Sequence, residues 1–563
     1  MAKAEASVEE LVGMIERGEL QLPEMQRRYV WRSTRVRDLL DSLYRGYPSG
    51  AILLWETNED VPTQAFAIEQ KQSPFKAARL LLDGQQRLTS LSAVIRGAPV
   101  AVRGRKKPIE ILFNLDHPDQ LSVVTEVHED GSDDDDDIGD EADSSADDLQ
   151  HRFNRMTFVV NAPKLEQNAH WVKVTDVFKT DGDAVFLKKA GVSGFDDPNY
   201  ARYSQRLSRL RGIRKYVYRM DVLERTLSYD EVTEIFVRVN SLGAKLRSSD
   251  LALAQITAKW RGALQTFQAF QQQCEKQGFV IDLGLYLKNL VAFATGQSRF
   301  LRVGNLPVAT LQKAWVDSVE GMQFALNFLR SNVGIDSLTL LSSPFVIVTL
   351  AYFGHKHHYE ISAAVEADLR RWVLLANAKG RYSRGSSETL LDQDLATLRQ
   401  AGGAPELLDR LRLQVGRLDV SAEELEGRNQ RSALFKTMFL AFRAAGAKDW
   451  KSNLSIALDH SGAQHYLQFH HIFPKGVLKG KFSGREADDI ANLAFIGGKT
   501  NRQISDKTPA QYFIPILEKS GASAFESQCI PTDPALLDLE SYKEFMNVRR
   551  SALSARLNEF LGN

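Results

Sequence analysis

The pattern of apolar and polar positions divides the chain into three regions. In the first, short strand-like runs alternate with helical stretches, as in LLLDGQQRLTSLSAVIRG at 80–97. In the second, long amphipathic stretches such as 251–277 predict a succession of helices. In the third, two strand-like runs, LQFHH at 467–471 and NLAFI at 492–496, stand among helical patterns. We therefore predict an α+β multidomain protein. The predicted domains are 1–255, 256–425 (a helical connector) and 426–563.

Length and charge agree with several domains. The chain has 563 residues, with 43% hydrophobic and 25% charged positions, and its net charge is zero. Because the run at 129–148 is strongly acidic, the remainder is basic by a comparable amount, and nucleic acid is open as a partner. The acidic run predicts a disordered, solvated insertion, or alternatively a mimic of DNA charge over a basic groove. Strand-like runs at 101–115 and 155–162 flank it, so we expect the insertion to lie within one domain.

Cations also alternate with aromatic residues in the segment 370–395, RRWVLLANAKGRYSRGSSETLLDQDL. This pattern suits a nucleic-acid surface, or alternatively the basic end of a helix. No run reaches the roughly 20 apolar residues that span a bilayer, and the N-terminus lacks the apolar core of a signal peptide. We expect a cytoplasmic protein without a membrane partner. Only two cysteines occur, so any metal must be held by His, Asn, Asp or Glu.

The first candidate site is the turn DGQQR. An apolar strand leads through Asp83 and Gly84 into an amphipathic helix, whose N-terminal N–H groups can hold phosphate. Arg87, one turn into the helix, can add a bidentate guanidinium contact. Gln85 and Gln86 can orient a water or a nucleobase. The alternative is a plain strand-to-helix turn in which Arg87 forms a salt bridge.

Two further segments stand in order around DGQQR. LQLPEMQRRYVWR occupies 20–32, and TEIFVRVNSLGAKLRSSDLALAQI occupies 233–256. Together the three motifs resemble the N-terminal domain of the GmrSD family of type IV restriction enzymes, which includes SspE-type anti-phage proteins. The resemblance implies a ParB/sulfiredoxin-like fold in which the turn binds a nucleoside triphosphate, with GTP, UTP and ATP all open. The residues implied for this site are Asp83, Gly84, Gln85, Gln86, Arg87, Gln26, Arg27 and Asn240.

Three apolar residues follow Gln26 and Arg27 closely. Tyr29, Val30 and Trp31 place aromatic and aliphatic groups beside cations, which suits the sensing of a slightly apolar modification on a DNA backbone. The alternative is that Tyr29 and Trp31 are ordinary core anchors.

The second candidate site contains two adjacent histidines, His470 and His471. Neighbouring side chains on a strand point to opposite faces, so we expect His470 to face a divalent cation and His471 to activate a water as general base. We expect Asn492 to hold His471 by a hydrogen bond and Asn501 to complete the metal ligands, with Asp506 as the alternative ligand. Asparagine is a weak neutral ligand, which favours Mg²⁺ or Mn²⁺ over Zn²⁺.

The sequences HHIFP, NLAFI, TNRQI and TPAQYF occur in this order within 430–555. They resemble the HNH nuclease domain, in the version with an H-H-I-x-P core that ends GmrSD-type proteins. The resemblance implies a ββα-metal fold that hydrolyses phosphodiesters. One departure is that the third metal position holds Asn501 where a histidine is usual.

The combined resemblance implies a modification-dependent, nucleotide-regulated DNA endonuclease of anti-phage defence, with nucleotide hydrolysis in the N-terminal domain. Its expected partner is double-stranded DNA, modified or from phage. The modification stays open between phosphorothioate and glucosylated hydroxymethylcytosine, and homodimer formation is also open. Two other classes remain: a nucleotide-gated DNA-binding regulator with an inactive HNH module, and a toxin nuclease that acts on RNA.

Overall fold

A computed structural model shows two compact units, residues 1–264 and residues 265–563. It describes residues 2–26, 29, 31, 33–58, 61–64, 66, 79–97, 110–118, 155–161, 163–242, 247–458 and 467–562, without the side chains of 163, 164, 240–242 and 302. Arg27, Val30, the acidic insertion 129–148 and the side chain of Asn240 therefore lie outside the described residues. The division of 265–563 into a helical connector and a nuclease domain stays a prediction.

Two sheets form the framework of the first unit. The strands of the larger sheet stand in the order β1-β9-β3-β5-β2-β4, and those of the smaller sheet in the order β7-β6-β8. Their bounds are β1 Ala2–Ser7, β2 Leu20–Pro23, β3 Ile52–Glu56, β4 Thr63–Gln64, β5 Arg79–Asp83, β6 Ile111–Asn114, β7 Phe158–Val160, β8 Trp171–Lys173 and β9 Val217–Leu223. Strand β5 pairs in parallel with β2 and antiparallel with β3. This central position explains its unbroken run of buried leucines, because both faces are covered.

Strands β6 and β7 stand before and after the acidic run in the chain. They pair antiparallel, with Leu112 opposite Val159. The chain between them, which contains 129–148, therefore connects two neighbouring strands of one sheet.

Helices of the first unit cover its sheets with apolar faces. In α2, Val36, Leu39, Leu40 and Leu43 are buried at helical spacing, while the opposite face is polar. The helices of this unit are α1 Val8–Glu16, α2 Ser33–Arg45, α3 Gln85–Arg96, α4 Pro163–Glu166, α5 Val174–Lys179, α6 Ala184–Lys189, α7 Pro198–Arg211, α8 Tyr229–Leu242 and α9 Ser248–Lys259. The next helix, α10 Ala263–Lys276, begins in the first unit and continues into the second.

The second unit is mainly helical. Its further helices are α11 Leu283–Thr295, α12 Val308–Phe328, α13 Phe345–Lys356, α14 Ala363–Ala378, α15 Ser387–Arg399, α16 Ala404–Val415, α17 Ala422–Leu425, α18 Ala433–Ala444, α19 Lys475–Leu478, α20 Gly484–Ala487, α21 Gly498–Ile504, α22 Pro509–Ser520, α23 Ser523–Glu526 and α24 Tyr542–Leu561. Strands β10 Leu467–His471 and β11 Leu493–Gly497 form a two-stranded antiparallel sheet. The α+β class is thus confirmed. Among the described helices, none combines the length and the apolar character that crossing a bilayer requires.

Basic residues in the segment 370–395 are largely structural. Lys379 and Arg381 are only 2% and 1% exposed. The Arg381 guanidinium forms a buried ion pair with Asp394, and Lys379 pairs with Glu424. The interpretation of this segment as a nucleic-acid surface is wrong for these residues, because a buried, paired cation cannot meet a phosphate backbone.

Candidate functional site

A cavity of about 610 Å³ opens at the DGQQR turn of the first unit. All five residues of the turn line it, together with Gln26, Trp31 and Arg35. Helix α3 begins directly after Gly84, which has no side chain to cap the first N–H groups of the helix. These N–H groups carry the positive end of the helix dipole, while Asp38, Asp83 and Asp250 add negative charge to the lining and Arg35 and Arg87 add positive charge.

Two glycines allow the turn to close tightly around Arg87. Gly84 has φ +101°, and a Cβ there would stand 2.4 Å from Cδ1 of Ile52. Gly50 has φ +90°, and a Cβ there would stand 2.5 Å from Nη1 of Arg87. Both backbone conformations are ones that only glycine adopts without strain.

The guanidinium of Arg87 is held mainly by protein groups. It donates to the backbone carbonyls of Ser49 (2.5 Å) and Ala51 (2.8 Å), and to the carboxylate of Asp83 (3.0 Å). Its side chain is 13% exposed. The structure thus contains the salt bridge of the alternative interpretation, and the direct bidentate contact to phosphate predicted for Arg87 would require these bonds to rearrange.

Some of the other predicted residues of the first unit are bonded within the protein interior, and others lie at the cavity. Gln26 is buried, and its amide donates to the carbonyl of Leu81, so it ties the segment after β2 to β5. The side chain of Gln86 accepts from the N–H of Trp31 at 3.2 Å. Tyr29 is 5% exposed, and its hydroxyl bonds to Ser90 at 2.8 Å. Tyr29 is therefore a core anchor and does not present its ring on a surface as a sensor would; Trp31, half-buried at the cavity, keeps that role open.

The second candidate site is built on β10, β11 and α21. In the sheet, His470 stands opposite Ala494 and His471 opposite Leu493. Helix α21 follows β11 directly and carries Asn501. The predicted order of strand, strand and helix is present, and it brings all four predicted residues of this site to one region.

His470 points into the interior. It is 4% exposed, and its ring lies edge-on to the rings of Trp450 and Tyr512. Its Nδ1 lies 2.8 Å from Oδ1 of Asn501, and its Nε2 lies 3.4 Å from the hydroxyl of Tyr512. Burial lowers the pKa of His470 to about 4. The imidazole is therefore neutral at physiological pH, as a metal ligand must be.

His471 points the other way, toward Asp488. Its Nε2 lies 2.8 Å from Oδ1 of Asp488, which Lys475 also contacts at 2.9 Å. Burial lowers the pKa of His471, and Asp488 partly opposes that effect. With the proton on Nε2 and donated to Asp488, Nδ1 carries the lone pair, and a carboxylate that fixes the tautomer in this way prepares a histidine for general-base catalysis.

Asn492 does not hold His471 as predicted. Its amide nitrogen donates to the carbonyls of Phe473 (3.0 Å) and Ala487 (2.9 Å), and its oxygen accepts from the N–H of Phe473 (2.9 Å). The polar atoms of this fully buried amide are thus all hydrogen-bonded to backbone groups. Its effect on His471 is indirect, because it fixes the chain that leaves β10, and the direct partner of His471 is Asp488.

The two predicted metal ligands, His470 and Asn501, lie side by side. Gln468 accepts from the amide nitrogen of Asn501 at 2.8 Å, which turns Oδ1 toward His470. Tyr512 donates to the carbonyl of Ile472, so its oxygen can accept from Nε2 of His470. In the structure Nδ1 of His470 and Oδ1 of Asn501 form a hydrogen bond of 2.8 Å. A divalent cation between these two atoms would require the proton of the imidazole to lie on Nε2, facing the hydroxyl of Tyr512.

A cation at this pair would need further ligands. Within the described residues, no three His, Cys, Asp or Glu side chains come together as a metal site. Two ligands supplied by the protein suit Mg²⁺, which usually keeps several waters, better than a tightly bound Zn²⁺.

Residues 8–257 match the family described as GmrSD restriction endonuclease, N-terminal domain. This part of the chain contains the whole DGQQR cavity. Over a longer range, the chain is similar to the uncharacterized protein MJ0686 of Methanocaldococcus jannaschii, with 25% identity over 557 residues, which covers 90% of this chain and 86% of the relative. The predicted resemblance is confirmed for the N-terminal part, and the HNH assignment of the C-terminal part stays a prediction.

Three residues of these sites were not predicted from the sequence. Asp488 lies beside Asp489 in the chain, yet Asp489 is 1% exposed and pairs with Arg550, so only the fold separates their roles. Tyr512 stands in an apolar helix pattern that predicts a core residue. Arg35 lines the cavity at helical spacing with Asp38 and Leu39, a signal that the amphipathic pattern of α2 does contain.

Proposed function

We propose that the chain is a modification-dependent DNA endonuclease of the restriction type that acts in the cytoplasm, with an HNH nuclease site at His471 and a nucleoside triphosphate site at the DGQQR cavity. The observation that supports the nuclease assignment is that the two histidines of β10 have different partners. One histidine is paired with a carboxylate and the other converges with an asparagine oxygen, on opposite faces of the same strand.

His471 has the arrangement that phosphodiester hydrolysis requires of a base. Nδ1 accepts a proton from water while Nε2–H stays bonded to Asp488, which stabilises the imidazolium that forms. The water oxygen forms a bond to phosphorus, and the bond from phosphorus to the 3′ oxygen breaks. His470 and Asn501 would hold a divalent cation, which would supply charge stabilisation for the phosphate and the leaving oxygen.

The cavity of the first unit supports nucleotide binding. Its volume of about 610 Å³ suits a small-molecule ligand, and the N-terminus of α3 suits a phosphate group. Arg35 is exposed at this cavity and has no ion-pair partner among the described residues. We assign the direct charge contact with the triphosphate to Arg35, and to Arg87 the role of holding the turn to the loop at Ser49 and Ala51.

One experiment tests the nuclease directly. Purified protein is incubated with supercoiled plasmid and with labelled RNA, with Mg²⁺ or Mn²⁺, and with GTP, UTP or ATP. We expect metal-dependent conversion of the plasmid to nicked or linear DNA, with RNA spared, and loss of this conversion in His471→Ala. Cleavage of RNA alone would identify the toxin class, and DNA binding without cleavage under any condition would identify the regulatory class.

A further inference from the structure

A second cavity, of about 460 Å³, lies beside the candidate nuclease residues and is lined by lysines. They come from the loop before β10, from the start of α21, from the turn after α21 and from the end of α22. These are Lys451, Lys499, Lys507 and Lys519. Four cations from four places in the chain converge here, and the sequence pattern gave no indication of it.

The cavity has almost no opposing charge. Asp449 is the only acidic residue among the described residues that line it. It is 6% exposed, and its carboxylate accepts from the N–H groups of Ser452 (2.7 Å) and Gly497 (2.7 Å) and from the hydroxyl of Thr500 (2.8 Å). Asp449 is thus turned into the wall and does not form an ion pair with the lysines.

The lysines are correspondingly unpaired. Lys499, Lys507 and Lys519 are exposed and have no carboxylate partner within the part of the chain that the structure describes. Among the described residues, the Lys451 ammonium donates to the neutral amide of Gln503, at 3.3 Å. Burial and the charges of Lys507 and Lys519 lower the pKa of Lys451, which shows that these ammonium groups repel one another. An anion in the cavity would relieve that repulsion.

The cavity shares a wall with the nuclease site. Tyr512 lines it and also contacts His470. Thr500, which lines it as well, directly precedes Asn501. A ligand that fills the cavity therefore lies next to His470 and Asn501, the proposed metal ligands of the nuclease site.

We propose that the lysine cavity, defined by Lys451, Lys499, Lys507 and Lys519, binds the phosphate backbone of double-stranded DNA next to the bond that is cut. The inference rests on the proposed nuclease function, since that function places the bond to be cut beside this cavity. Lysines act here as point charges that hold phosphates without reading the bases. A free phosphate or a nucleotide also presents phosphate groups, so the test distinguishes binding of a DNA duplex from binding of these small anions.

Binding of a fluorescent DNA duplex is measured by anisotropy, with EDTA to prevent cleavage, between about 50 and 200 mM salt. The double variant Lys507→Gln/Lys519→Gln removes two exposed cations from the cavity. The slope of log K against log salt is negative, and each lost phosphate contact reduces its magnitude by about 0.9, so we expect the magnitude to decrease by about 1.8. The matched control is Lys276→Gln, an exposed lysine of α10 outside the cavity, which should leave the slope unchanged.

A slope equal to that of the wild type in the double variant, with its melting temperature preserved, would overturn the inference. So would loss of inorganic phosphate or nucleotide binding in the double variant without any change in duplex binding, because the ligand would then be a small anion. Failure of the nuclease proposal looks different. If the wild type never cleaves DNA with any divalent metal but the double variant loses the salt slope, the cavity binds DNA and the nuclease assignment alone is wrong.

Discussion

His470 and His471 are neighbours in the chain with different electrostatic surroundings. His470 is enclosed by aromatic rings, which favours the neutral form, whereas His471 has a carboxylate that fixes one tautomer. The same residue type can therefore serve as a ligand and as a base one position apart, because the strand turns the two rings to opposite sides.

The pH profile of DNA cleavage tests the role of Asp488. His471→Ala should reduce cleavage by about 10²–10⁴-fold, since it removes the general base. Asp488→Asn should reduce it less, and the acid limb of the rate profile should move to lower pH, because Asp488 raises the pKa of His471. The comparison is Asp506→Asn, which leaves the His471 pair intact. An unchanged acid limb in Asp488→Asn, despite lower activity, would show that Asp488 has only a structural role.

Asp449 gives the second unit a stability that depends on pH. Burial opposes ionisation of this carboxyl, but hydrogen bonds from Ser452, Gly497 and Thr500 outweigh it and lower its pKa. A lowered pKa in the folded state means that Asp449 stabilises the fold above the unfolded pKa of about 3.9, and that this contribution is lost as the pH falls through the folded value.

Asp449→Asn should therefore destabilise the protein at neutral pH by about 2–4 kcal/mol, since an amide hydrogen would replace an acceptor for buried donors. The difference from the wild type should shrink as the pH falls below about 4. Denaturant melts across this pH range measure it. Asp409→Asn is the control, because the Asp409 side chain is 68% exposed. A difference that grows in acid would contradict the assignment.

The turn between β5 and α3 is the element on which the first cavity depends. Gly84→Ala introduces a side chain where φ is +101°, which costs about 1–3 kcal/mol of stability and shifts the start of α3. We expect weaker nucleotide binding together with a lower melting temperature. Gly182→Ala is the matched control in the same unit, since a Cβ there meets no atom within 4 Å. Wild-type affinity in Gly84→Ala would show that the backbone of this turn does not contact the nucleotide.

Elements were easier to predict than the partners of their side chains. The apolar run before Gly84 indicates a strand because burial of both faces leaves a continuous hydrophobic pattern. The run through His470 also forms a strand, although Phe469 within it is 45% exposed. Arg87 pairs with the nearby Asp83, but its other two partners are carbonyls distant in sequence, and no local pattern encodes them. In the segment 370–395, the sequence suggests that Lys379 and Arg381 lie on a surface, whereas pairing with Glu424 and Asp394 buries them.

At the scale of the whole molecule, the two candidate sites lie in different compact units. Regulation of one by the other is a coupling free energy, typically about 1–3 kcal/mol, or about 5–150-fold in affinity. Linkage requires that it act in both directions for binding. Nucleotide should change the affinity for modified DNA, and modified DNA should change the affinity for nucleotide by the same factor.

The choice of variant decides whether this coupling can be measured cleanly. Arg87→Ala removes the bonds that join the DGQQR turn to Ser49 and Ala51, so it should lower stability as well as nucleotide hydrolysis. Arg35→Gln removes only an exposed guanidinium at the cavity, so the fold should be preserved while nucleotide affinity falls. Nucleotide titrations with and without modified duplex, and the converse titrations, are then run on the wild type and on Arg35→Gln.

In the variant, the nucleotide concentration needed to alter DNA cleavage should rise by the same factor as the nucleotide dissociation constant, although nothing near His471 has changed. Equal affinities in every titration of the wild type would mean that the DGQQR cavity does not control the nuclease. A normal nucleotide affinity in Arg35→Gln with reduced hydrolysis would mean that Arg35 acts in nucleotide hydrolysis and does not contribute to binding.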